Sequence, residues 1–384
     1  MLEGVIMQKE IYLDNSATTQ VLPQIVDRMT EAMLKNYGNP SSLHRKGFES
    51  EKELKKTRST LGDILKTGSS SIYFCSGGTE ANNWAIKSTA RRYKKRGNHL
   101  ITTKIEHASV LHSFKELEEE GFEVTYLPVN DKGVISLEDL KGLLKEETIL
   151  ISIMHVNNEV GSIMPIEDIG KILRESKALF HVDAIQSFCK LDIWPEKWGI
   201  DLLSLSGHKI HGPKGIGALY INDKLNIPAL IVGGEQEAGK RSGTENVQGI
   251  VGLGEAAKII KGHGNSKIIQ LKNSLLNGLK KISGVHFNGQ PEDYHTPIIN
   301  VWFQGVDKAE VLLHMCEEDG LFVSTGSACH SRHPKPSHVL KAIGAKNEAL
   351  YGAIRLSIGH QNQEHEMEQA AAIIEKRVKE LRQL

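Results

Sequence analysis

Lys209 lies in the run Leu205-Ser206-Gly207-His208-Lys209-Ile210-His211-Gly212-Pro213, directly after the apolar stretch Asp201-Leu202-Leu203-Ser204-Leu205. That stretch reads as a buried strand, and the glycines and proline beyond it hold an irregular turn. A lysine desolvated on such a turn gives up its proton readily and becomes a Schiff-base nucleophile toward a carbonyl. Other reactive side chains stand at comparable places. Ser76-Gly77-Gly78-Thr79-Glu80 follows Ser71-Ile72-Tyr73-Phe74-Cys75 and opens a helical pattern. Its glycines let backbone N–H groups approach an anion, and Thr79 adds a hydroxyl. His107 follows the run His99-Leu100-Ile101-Thr102-Thr103, where an imidazole can stack on a flat ring or move a proton. Asp183 ends Ala178-Leu179-Phe180-His181-Val182, and a carboxylate buried there needs a cation or several donors. A pyridinium nitrogen meets that need. Phosphate loop, histidine, aspartate and lysine together point to pyridoxal 5'-phosphate. Gln186 follows Asp183 closely enough to reach an oxygen of the same ring, and Asn157 and Asn158 follow the run 148–154, where amides can orient a polar substrate group.

Such residues must be delivered by elements. From about 70 to 220, short apolar runs alternate with helical patterns, which predicts an α/β fold with a mostly parallel sheet covered on both faces. In that architecture ligands bind beyond the carboxyl ends of the strands. After about Gly254 the rhythm changes to a long polar helix, short strands and a terminal helix with Met367, Ala370, Ile374, Val378 and Leu381 on one face. This predicts a smaller α+β lobe. The expected division is 17–258 for the large lobe, with 1–16 and 259–384 in the small one.

The 384 residues carry 47 basic and 47 acidic side chains, so no charge excess favours nucleic acid or an anionic membrane. No apolar run approaches the roughly 18 residues of a membrane span, and the start lacks signal-peptide order. The cysteines, Cys75, Cys189, Cys316 and Cys329, form no C-x-x-C pair. No metal site is expected, and scattered thiols suit a reducing cytoplasm.

Ordered along nearly the whole chain are Tyr12-Leu13-Asp14-Asn15-Ser16-Ala17-Thr18-Thr19, Gly38-Asn39-Pro40-Ser41-Ser42, Glu106-His107 and His155-Val156-Asn157-Asn158-Glu159-Val160-Gly161. They continue with His181-Val182-Asp183-Ala184-Ile185-Gln186, Ser206-Gly207-His208-Lys209, Arg241-Ser242-Gly243-Thr244-Glu245-Asn246 and Ser324-Thr325-Gly326-Ser327-Ala328-Cys329. The set resembles the cysteine desulfurases of the NifS/IscS type, in the class V branch of fold-type I pyridoxal phosphate enzymes. The resemblance implies a seven-stranded-type large-domain sheet and the conversion of L-cysteine to L-alanine. It implies that Lys209 anchors the cofactor, that His107 stacks on its ring and assists proton transfer, and that Asp183 pairs with the ring nitrogen. Gln186 would contact the phenolic oxygen. Gly78, Thr79, Ser206 and His208 would serve the phosphate, with Thr244 reaching in from the other subunit of a homodimer. Asn158 and Arg355 would bind the substrate carboxylate, the arginine as a bidentate fork.

By the same resemblance Cys329, on a loop spanning about 324–337, takes the substrate sulfur as a persulfide and passes it to an acceptor protein. Iron–sulfur clusters, tRNA thiolation and thiamine-type synthesis are the destinations this implies. A selenocysteine lyase or another class V aminotransferase or lyase is the alternative. Two features depart from the pattern. Many relatives have alanine where this chain has Gly78, which predicts a slightly looser phosphate turn. His330, Arg332, His333 and Lys335 give a basic surround to Cys329, either lowering its pKa or docking an acidic acceptor.

Overall fold

The computed structural model describes residues 10–325 and 336–383. In chain order its strands are β1 (Ile11–Tyr12), β2 (Ile72–Cys75), β3 (His99–Thr103), β4 (Glu123–Leu127), β5 (Thr148–Met154) and β6 (Leu179–Asp183). They continue with β7 (Leu202–Ser206), β8 (Gly217–Ile221), β9 (Val285–Asn288), β10 (Ile298–Phe303), β11 (Leu321–Phe322) and β12 (Ile354–Ser357). Seven of them form the central sheet, in the order β2-β8-β7-β6-β5-β3-β4.

Strands β3 to β7 pair in parallel, while β8 runs antiparallel to both β7 and β2. Two reversals cancel, so β2 points the same way as β7. The segments after Cys75, Thr103, Met154, Asp183 and Ser206 therefore all leave the sheet from one edge. Strands β3, β5 and β7 are buried at every residue, which is why they read as apolar runs rather than as alternating patterns. The expected series of strands is present, and β4 and β8 are added to it.

Helices Pro23–Lys35 and Arg45–Leu65 both pack on Val247–His263, and the three share the main apolar cluster with Phe74, Ile151, Val182 and Leu205. A second cluster joins Ile11 and Leu13 to Leu275, Val301, Leu321, Ile354 and Ile374. Its framework is the antiparallel sheet β12-β10-β9 and the parallel pair β1-β11. In the terminal helix Glu364–Leu381, Met367, Ala370, Ile374 and Val378 are buried, as their spacing requires. The division expected at 258 falls inside the helix Val247–His263, whose Ile260 still belongs to the first cluster.

Residues 13–19 cross between the clusters. Leu13 is tied to β11 and β12 through Leu13 N to Phe322 O (2.9 Å) and Ser357 N to Leu13 O (2.6 Å). Thr19 N then donates to His208 O at 2.9 Å, beside the lysine turn. No helix among the described residues is long and apolar enough to cross a membrane.

Candidate active site

A cavity of about 730 Å³ opens at the edge where those five strands end. Of the twelve candidate residues, ten line it; Thr244 does not, and Cys329 lies outside the described residues. The basic residues that follow Cys329 lie outside them as well.

Lys209 closes a single 3-10 turn, Gly207–Lys209, at the end of β7. Its Nζ donates to the carbonyl oxygens of Ser16 (2.5 Å) and Ala17 (2.7 Å) on the crossing segment. Burial, with the nearby charges of Arg355 and Lys190, brings its pKa down to about 7. The amine is thus nucleophilic near neutral pH without a dedicated base.

Asp183 ends β6 and is 5% exposed. Its Oδ1 accepts from Ile185 N at 3.0 Å and its Oδ2 from Asn82 Nδ2 at 2.8 Å. Burial nevertheless raises its pKa, because two neutral donors do not replace water around a charge. A protonated ring nitrogen would supply the missing cation.

His107 is the N-cap of helix Ala108–Glu119, and its Nδ1 accepts from Ser109 N at 3.1 Å, with Ser109 Oγ 2.8 Å away. With Nδ1 accepting, the neutral ring carries its proton on Nε2. Burial lowers its pKa, opposed in part by Asp183. Asn82 joins the two residues: the same Nδ2 that serves Asp183 lies 2.9 Å from Ser109 Oγ.

The phosphate loop is built on Gly77, whose φ of +152° disfavours other residues, and Gly78, which begins the helical turn Gly78–Asn83. A Cβ on Gly78 would lie 2.1 Å from Cδ1 of Ile185. The contact is with the far end of a flexible side chain, so an alanine here would require Ile185 to turn aside. Ser206 Oγ is buried without a hydrogen-bond partner among the described residues. His208 Nδ1 lies 3.2 Å from Thr18 Oγ1, and burial, then Lys209, lowers its pKa to about 4, so it meets the cavity as a neutral ring. Glu80 stiffens the loop, accepting from Ser76 N at 2.9 Å and from Arg241 Nε at 2.9 Å. Gln186 Nε2 donates to Ser16 O at 3.0 Å.

Arg355, on β12, is 3% exposed. Nη1 donates to Asn158 O at 3.0 Å and Nη2 to Asp14 Oδ1 at 2.7 Å, while Nε is buried without a partner among the described residues. Each terminal nitrogen thus gives one of its two N–H groups to the protein. Thr244 lies in a cleft with Phe74, Glu237 and Arg241 and borders another with Met33 and Tyr37.

These groups fit a phosphorylated pyridine aldehyde. The unpartnered Ser206 hydroxyl and the glycine turn suit a phosphate, Asp183 suits a ring cation, and the low-pKa amine of Lys209 suits a carbonyl. Asn82, Ser109 and Asp14 were not singled out for a role from the sequence. Asn82 falls three residues after Thr79 on one helical face, the only local signal it offers.

The family model for "Aminotransferase class-V" matches residues 11–370. "Cysteine desulfurase IscS" of Methanosarcina thermophila is 44% identical over 379 residues, covering 98% of this chain and 94% of that protein. A solved "NIFS-LIKE PROTEIN" superposes with a TM-score of 0.90 at 37% identity, covering 96% of this chain and 99% of the other. A structure titled "SspA in complex with cysteine" gives 0.82 at 37% identity, over 90% of this chain and 98% of that one. This chain belongs to the aminotransferase class-V family and, within it, to the pyridoxal phosphate-dependent cysteine desulfurases.

Proposed function

We propose that this chain works as a homodimer in the cytoplasm, with Lys209 holding the cofactor and Cys329 receiving sulfur from L-cysteine for delivery to an acceptor protein. The observation that carries the residue assignment is the meeting, in one cavity, of a low-pKa lysine, a buried aspartate short of a cation and an unpartnered serine hydroxyl. Bound pyridoxal phosphate acts as an electron sink for the carbanion formed at the substrate Cα.

The geometry supports the following account of the protein's part in the reaction. Asp183 would hold a proton on the ring nitrogen of the bound cofactor, with Asn82 and Ile185 N orienting its oxygens. Gln186 and His208 border the same ring pocket as neutral groups. As a free amine, Lys209 has a pKa suited to accept the substrate α-proton and return it. His107 presents Nε2 for proton exchange, because Nδ1 is committed to Ser109. Asn158 and Arg355 receive the substrate carboxylate. The thiolate of Cys329 attacks the substrate sulfur: the new S–S bond forms as the C–S bond breaks. The C–S electron pair passes to Cβ, which takes a proton, giving alanine and a persulfide.

A dimer is supported by the exposed apolar side chains Met33, Tyr37, Leu43 and Phe48, the first two bordering the cleft that contains Thr244. Thr244 would then complete the phosphate site of the partner subunit. The cysteine bound to SspA, at 37% identity, supports the same substrate here.

Incubation with L-cysteine, followed by mass spectrometry of the peptide carrying Cys329, tests the reading. One added sulfur and one alanine per subunit are expected in the first turnover, with Cys329→Ala abolishing both. Undiminished alanine formation by Cys329→Ala would overturn the role of that thiol.

A further inference from the structure

Arg355 is unusual in how its five donors are divided. Its backbone is held against Ser324, with Arg355 N donating to Ser324 O at 2.6 Å and Arg355 O accepting from Ser324 N at 3.2 Å. One N–H of each terminal nitrogen is taken by Asn158 O and Asp14 Oδ1, and Nε has no partner among the described residues. A buried, unpartnered N–H of a cation in a cavity wall marks the place where an anion is to be received.

Asp14 reaches this guanidinium from the far end of the chain, and it is itself fixed. Its backbone bridges Ser357, and its carbonyl oxygen accepts from Ala17 N (3.0 Å) and from the Tyr12 hydroxyl (3.2 Å). The side chain of Asp14 is 21% exposed against 4% for Arg355, so the carboxylate approaches the guanidinium from the wetter side. We propose that Asp14 is a positioning residue: together with the Asn158 carbonyl it pins Nη1 and Nη2 of Arg355, so that the Nε edge faces the cavity and takes the substrate carboxylate side-on. This rests on the reading that Arg355 binds that carboxylate.

Two effects of Asp14 oppose each other. Its hydrogen bond orients the guanidinium, while its negative charge repels the incoming carboxylate. Asparagine keeps an acceptor at the same place and removes the charge; alanine removes both. The orienting contribution predicts that Asp14→Ala weakens carboxylate binding, whereas Asp14→Asn preserves it.

The experiment titrates the visible absorbance of the holoenzyme with L-alanine and with ethylamine, the same amine without the carboxylate. Asp14→Ala is expected to weaken L-alanine binding about tenfold and leave ethylamine within about twofold. Asp14→Asn stays within about threefold for both, and KM for L-cysteine follows the L-alanine series while kcat changes little. Unchanged L-alanine binding by Asp14→Ala would overturn the proposal. Equal weakening of both ligands, or an asparagine variant as weak as alanine, would also do so. Arg355→Met separates the two levels. If it binds L-alanine as the unsubstituted protein does, the carboxylate reading itself fails; if it loses L-alanine while Asp14→Ala does not, only the role of Asp14 fails.

Discussion

The amide nitrogen of Asn82 donates to Asp183 Oδ2 at 2.8 Å and lies 2.9 Å from Ser109 Oγ, which in turn touches Nδ1 of His107 at 2.8 Å. One fully buried side chain thereby orients both the carboxylate beneath the ring site and the imidazole beside it. Asn82→Ala leaves Asp183 short of a donor and unties His107. A stability loss of about 1–3 kcal/mol is expected, with cofactor affinity reduced about tenfold. Thermal melting and fluorescence titration with pyridoxal phosphate measure the two.

Lys209 titrates at about 7 in the folded protein, against about 10.4 for a free lysine. Attachment of the cofactor needs the neutral amine, so its rate should rise through pH 7 and level off above pH 8. Between about 7 and 10.4 the unfolded state binds a proton that the folded state has lost, so this group makes stability rise with pH across that window. Stopped-flow absorbance on the apoprotein gives the rate profile. A midpoint near 10 would contradict it.

Glu106 is fully buried, and burial raises its pKa to about 8. Its Oε1 accepts from Thr103 Oγ1 at 2.7 Å and Met154 N at 3.0 Å, while Oε2 has no partner. Above about pH 4.3 the unfolded carboxyl releases its proton while the folded one keeps it, up to about pH 8. This group therefore lowers stability as pH rises over that range. Glu106→Gln keeps the Oε1 acceptor and removes the titration. The variant should melt at a temperature equal to or above that of the unsubstituted protein at pH 7.5, with a flatter pH dependence.

Gly78→Ala places a methyl group 2.1 Å from Cδ1 of Ile185, so this side chain must leave its rotamer, at a cost of about 1 kcal/mol. Cofactor affinity is expected to fall about tenfold. Combining it with Ile185→Ala opens that space and should restore most of the affinity, as judged by equilibrium dialysis. No recovery in the double variant would mean that the collision with Ile185 is not the cause.

Strands β3, β5, β6 and β7 were legible because burial on both faces demands continuous apolar sequence. Two others were not. In β4 only Leu127 is buried, since it is the edge strand, and its Glu123-Val124-Thr125-Tyr126 carries little apolar signal. β8 begins at Gly217, so close to the glycine-rich turn that its first residue reads as loop. The helices Pro23–Lys35 and Arg45–Leu65 were likewise missed, because long polar stretches mask the narrow stripe each one buries.

Lys209, His107 and Asp183 were visible in the sequence because each follows an apolar run, and strand ends in such a sheet converge on one edge by construction. The amino-acid order determined that much: reactive groups at strand ends, a phosphate turn, and the motifs of a family. Tertiary structure alone decided which neighbours tune them. Asp14 and Arg355 are 341 residues apart, as are Ser16 and Lys209 by 193, and such contacts leave no periodic trace in a chain. They exist because a short segment crosses between two separately packed clusters, and only folding brings its carboxylate and carbonyl groups against the buried cations.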